Sequence, residues 1–77
     1  MNPIFEETTY QLQQVLDLFD VKYDEEDEKY VAITSVATVV DPEKIESIMR
    51  LDLMIYSIQK FDDTMTIRFV HKKGGRF

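Results

Sequence analysis

The stretch Asp52–Lys72, DLMIYSIQKFDDTMTIRFVHK, leaves this chain few ways to fold. It reads as two strands, Leu53–Phe61 and Thr64–Lys72, joined at Asp62-Asp63, where aspartate suits a tight turn through its local backbone hydrogen bonds. Side chains alternate across a strand, so Met65, Ile67 and Phe69 share one face while Thr66, Arg68 and Val70 share the other. On the first strand the same rule sets Met54, Tyr56 and Ile58 toward the core, and Leu53, Ile55, Ser57 and Gln59 away from it. A lone two-stranded hairpin is marginal in water, so the rest of the chain has to cover its apolar face.

Two amphipathic segments can do so. Asn2-Pro3 is a helix start, with asparagine as cap and proline where its missing N–H costs nothing. From there to about Asp20, Ile4, Phe5, Thr8, Leu12, Val15, Leu16 and Phe19 fall on one helical arc, and Glu6, Tyr10, Gln13, Gln14 and Asp17 on the other. Asp41-Pro42 repeats the signal, and Ile45, Ile48 and Met49 make a narrower stripe over Pro42–Arg50. Ile48, Leu51, Ile55 and Ile58 also recur at helical spacing, so a helix running on to Lys60 is the alternative. Asp52 would then sit in the middle of the apolar arc, which favours the shorter helix and a strand after it.

Between the helices, Val21-Lys22-Tyr23 and Tyr30–Val40 read as extended, with a bend or bulge near Ser35 in the longer run and with Val31 and Ile33 facing the core. Asp24-Glu25-Glu26-Asp27-Glu28 separates them. Five adjacent acids repel one another into water, so they belong at a hairpin tip. The expected fold is therefore α+β, α-β-β-α-β-β, with two helices packed on one face of a four-stranded antiparallel sheet; the long-helix alternative leaves α-β-β-α-β. Residues 1–77 form a single compact domain in this reading, with a short basic tail at 73–77. Phe19, Leu12, Ile33, Ile48, Ile67 and Phe69 are its expected core.

Most catalytic and cofactor chemistry finds no residues to work with. With no cysteine there are no disulfides, thiolate metal sites or thiol nucleophiles. The two glycines both lie in the tail, so neither a phosphate-binding loop nor a nucleophile elbow can form. The acidic run lacks the alternation and central glycine of a calcium loop. His71, near the end of the last strand, reads as an exposed strand-end residue. No catalytic residue, metal or cofactor is expected, and the chain is read as not an enzyme.

Charge narrows the partner. The net charge is −6, with twelve acids against three bases in residues 1–46 and three against six in residues 47–77. A net acidic surface disfavours nucleic acid, which attracts basic patches. No apolar run approaches the roughly 20 residues of a membrane span, and the first residues lack the pattern of a signal peptide. The expectation is a cytoplasmic, non-catalytic protein-interaction module that occupies the surface of another protein, one with a basic surface. A small acidic inhibitor of the kind phages and mobile elements encode is one form of it. The alternative is a self-assembling structural subunit, a homo-oligomer such as a homodimer, using the open sheet face or an edge strand. Candidate partner-binding residues are Asp24, Glu25, Glu26, Asp27 and Glu28 at the tip, with Tyr30, Ile55 and Arg68 on the open sheet face.

Overall fold

In a computed structural model, which describes residues 3–35 and 41–72, the chain runs α1 (Pro3–Val15), β1 (Asp20–Asp24), β2 (Lys29–Ser35), α2 (Pro42–Met49), β3 (Leu53–Phe61) and β4 (Thr64–His71). The four strands form one antiparallel sheet in the order β1-β2-β4-β3. This is the expected α+β arrangement. The long-helix alternative fails at Asp52, whose φ of 61° lies in the left-handed region and ends any helix. A bend or bulge is expected near Ser35; β2 keeps an unbroken register with β4 as far as Ser35, and residues 36–40, like the tail at 73–77, lie outside the described residues.

α2 opens as its sequence dictates. Asp41 caps it by accepting from the Lys44 N–H at 3.0 Å, and Pro42 fills the first turn. α1 is shorter than its apolar arc implies, ending at Val15 instead of near Asp20. The cause is Gln13, expected on the solvent side. Its amide nitrogen donates to the carbonyls of Leu16 at 3.1 Å and Phe19 at 2.8 Å, while its oxygen accepts from the Val21 N–H at 3.2 Å. One side chain thus replaces the next helical turn and aims the chain into β1. Asp17, now outside the helix, instead meets Lys44 of α2 at 2.8 Å.

The core lies between the helices and one sheet face. Leu12, Leu16, Phe19, Val21, Tyr30, Ala32, Ile48, Leu53, Ile67 and Phe69 are all buried there. Paired residues on antiparallel strands share a face, and the register sets Tyr23 beside Tyr30, Tyr30 beside Phe69, and Ala32 beside Ile67. Of the expected core, Leu12, Phe19, Ile48, Ile67 and Phe69 are in place. Ile33 is not. β2 is shifted by one position, so Tyr30, Ala32 and Thr34 face the helices, while Val31 and Ile33 lie on the opposite face, where Val31 is nonetheless buried and Ile33 is partly exposed. The phase follows the aromatic ring: Tyr30 joins Phe5, Tyr23 and His71 in one ring cluster, with Phe5 stacked on Tyr23 at 4.4 Å between centroids.

β3 departs further from strict alternation. A bulge at Tyr56 interrupts the register, Ile55 pairing with Phe69 and Ser57 with Arg68. Leu53 and Ile55 before it, and Ile58 after it, all lie on the helix side, whereas Met54 and Tyr56 belong to the open face. Of these only Leu53 is buried, at 1% exposure, within the core that includes Ile48 of α2.

Candidate functional site

The acidic tip is a built turn. The Asp24 carboxylate accepts from the N–H groups of Glu26 and Asp27 at 3.1 and 3.3 Å, and Glu28 takes a φ of 55° to bring the chain into β2. Glu25 to Glu28 are exposed. Lys29 answers part of the charge, its ammonium lying 3.3 Å from the Asp27 carboxylate. The acids raise the Tyr23 phenol above its ordinary range, though burial is the larger cause.

Tyr30 is not on the open face. It is 1% exposed, and its hydroxyl shares a 2.8 Å hydrogen bond with His71 Nε2 beneath α1. Burial raises the Tyr30 phenol, against the pull of the Thr8 hydroxyl. His71, expected to be exposed, is half-buried, and burial lowers its imidazole below the ordinary histidine value, with Asp52 opposing. Ile55 is on the helix side, half exposed, and so on the opposite face from Arg68. Arg68 does lie on the open face, where its guanidinium donates to the Gln59 side chain. The structure therefore does not bring Tyr30, Ile55 and Arg68 together.

What it brings together instead is the outer edge of β3. Five of its residues are large and exposed: Met54 at 49%, Ile55 at 50%, Tyr56 at 62%, Ile58 at 54% and Phe61 at 79%. Lys60 is the single charged residue in the nine of this strand. On the open face the Lys29 ammonium sits 4.3 Å from the Tyr56 ring centre. On α2, Ile45 and Met49 are exposed as well. The opposite edge, β1, is guarded in the usual way: it is short, and Asp20, Lys22 and Asp24 make three of its five residues charged. Counting unprotected apolar residues on an edge would have marked β3, had its place at the edge been legible.

Other features offer less. An open hollow of about 340 Å³ between α1 and α2 is lined by Gln14, Val15, Asp17, Asp41, Lys44 and Ser47 among others, and the Asp17–Lys44 pair lies at it. Lys44 holds the Asp17 carboxyl below its usual range by hydrogen bond and charge. Among the described residues no group of His, Cys, Asp and Glu gathers as cation ligands, and no helix is long and apolar enough to cross a membrane. Comparison with protein families, with curated proteins and with solved structures gave no match.

Proposed function

We propose that this chain is a non-catalytic protein-interaction module that occupies a partner's surface through the outer edge of β3. The observation that carries the reading is an edge strand of nine residues with five large exposed hydrophobic side chains and one charge. Such an edge offers a row of unpaired backbone donors and acceptors, with apolar side chains above and below, which is what strand addition uses. The acidic turn Asp24–Glu28 joins β1 to β2 and reaches toward the β3 edge through Lys29, whose ammonium lies 3.3 Å from Asp27 and 4.3 Å from the Tyr56 ring centre, and it acts by steering a basic partner. A cytoplasmic inhibitor is the form that suits an acidic chain without cysteine.

The test is a titration of purified partner, first captured from lysate, against the parent, Ile58→Lys, and a variant with Glu25, Glu26, Asp27 and Glu28 neutralised. Asp24 is kept because it builds the turn. Ile58→Lys is expected to weaken binding by about tenfold or more, as loss of a central contact does. Neutralising the turn is expected to slow association at low salt and leave dissociation unchanged. Parent-like affinity for Ile58→Lys refutes the β3 reading. Identical on-rates at low salt return the acidic turn to a solvated tip.

A further inference from the structure

The bulge in β3 restricts what fits its outer edge. Before the bulge, Leu53 and Ile55 face the helix side and Met54 the open side; after it, Ile58 and Lys60 face the helix side and Ser57, Gln59 and Phe61 the open side. Tyr56, the extra residue, lies on the open side under Lys29. A regular strand added here would leave one β3 residue without a counterpart, as β4 already does on the inner side. A strand bulged at the matching place would pair one to one from Leu53 to Lys60.

A second copy of β3 is such a strand. Set antiparallel about a two-fold axis between Tyr56 and Ser57, it places Ile55 opposite the second copy's Ile58, Met54 opposite Gln59, Leu53 opposite Lys60 and Tyr56 opposite Ser57. Every one of these pairs joins residues of the same face. A one-residue shift sets helix side against open side at every pair off the axis, and a two-residue shift breaks the match at the bulge. Charge agrees with this register: Lys60 arrives at the second copy's Leu53, next to its Asp52, and no like charges are opposed. We propose that two copies pair through β3 in this register, forming a two-fold dimer with one eight-stranded sheet. The proposal rests on the reading of β3 as the recognition surface and names its occupant; a second copy carries the same net charge of −6, so the acidic turn has no steering role in this pairing. The helices of both copies fall on one side of that sheet, so exposed Ile45 and Met49 share a side with the Ile55–Ile58 pairs. The charged β1 strands become the two outer edges, which closes the assembly at two copies.

The register is tested by exchange of charge. Molar mass from light scattering is measured over a concentration series for the parent, Ile55→Lys, Ile58→Glu and the double variant. The parent is expected to double in mass. Each single variant is expected to weaken the dimer by about tenfold or more, and the double variant to recover most of it, because each lysine then faces a glutamate. Both positions are half exposed, and circular dichroism of each variant separates lost folding from lost pairing. Amide exchange gives a second reading, with protection of β3 rising with concentration in the parent alone of the parent and single variants. A parent that is monomeric up to about 1 mM, the weak end of the affinity scale, overturns the dimer. So does a double variant no better than the singles, or protection independent of concentration. A monomeric parent whose captured partner still loses affinity for Ile58→Lys refutes the second copy and keeps the interaction-module reading.

Discussion

Gln13→Ala should be the most damaging substitution of a polar residue on α1. The side chain makes three hydrogen bonds, to two carbonyls and one N–H, in a partly buried turn. A hydrogen bond contributes about 0.5–1.5 kcal/mol net, so three bring about 1.5–4.5 kcal/mol, and water reaching the half-buried groups favours the lower half of that range. The expected loss is about 2 kcal/mol. For a protein this small the dependence on urea is about 1 kcal/mol per molar, so the midpoint should fall by about 2 M. Urea unfolding followed by circular dichroism reads it directly. Gln13→Glu sharpens the test. A carboxylate can still accept from Val21 N–H, but it cannot donate, and it faces the carbonyls of Leu16 and Phe19. Its pKa is thereby raised in the folded state, so its stability should improve as pH falls and the carboxyl becomes a donor. A Gln13→Ala protein within about 0.5 kcal/mol of the parent, the range of ordinary surface substitutions, would refute the view that this residue ends the helix.

Phe69, at 1% exposure in the central strand β4, should cost about 3–5 kcal/mol on truncation to alanine; a loss below about 0.5 kcal/mol in urea would mean that the β4 register is wrong. The folded-state imidazole of His71 is lowered below its ordinary 6.5, so the unfolded chain binds more protons between the two values and stability rises with pH there. Acidification from neutral pH through that window should therefore destabilise the parent more than His71→Gln, compared by urea midpoints at each pH; parallel pH profiles would contradict the buried placement of this ring.

The element order was legible because its signals are local: Pro3 and Asp41-Pro42 open helices, the acidic run and Asp62-Asp63 close turns, and β4 alternates without ambiguity. Phase along β2 was not. YVAITS offers apolar residues on both parities, and the choice is made by Phe69 and the ring cluster, which are distant in sequence. β3 failed differently, since LMIYSI is apolar throughout and a bulge changes its parity part-way. Gln13 gave a polar residue on the polar side of a helical wheel; nothing local says that the chain will turn back over it. The candidate site inherits these limits. Local sequence puts Tyr30 on the wrong face because the phase of β2 is set elsewhere, and the exposed edge can be named only from the strand order.

The order β1-β2-β4-β3 also sets where the molecule's cooperativity resides. Each half of the chain is a helix followed by a hairpin, and both hairpins close through short turns. The two halves share one strand pair, β2 with β4, where Tyr30 meets Phe69 and Ala32 meets Ile67. That pair joins segments separated by about thirty residues, but closure entropy grows only slowly with loop length, so the separation itself adds little. Either half alone is a single helix on a two-stranded hairpin, too small to bury a core. The two halves are therefore coupled through this central ladder and the core packed on it, and each half is stabilised by the presence of the other.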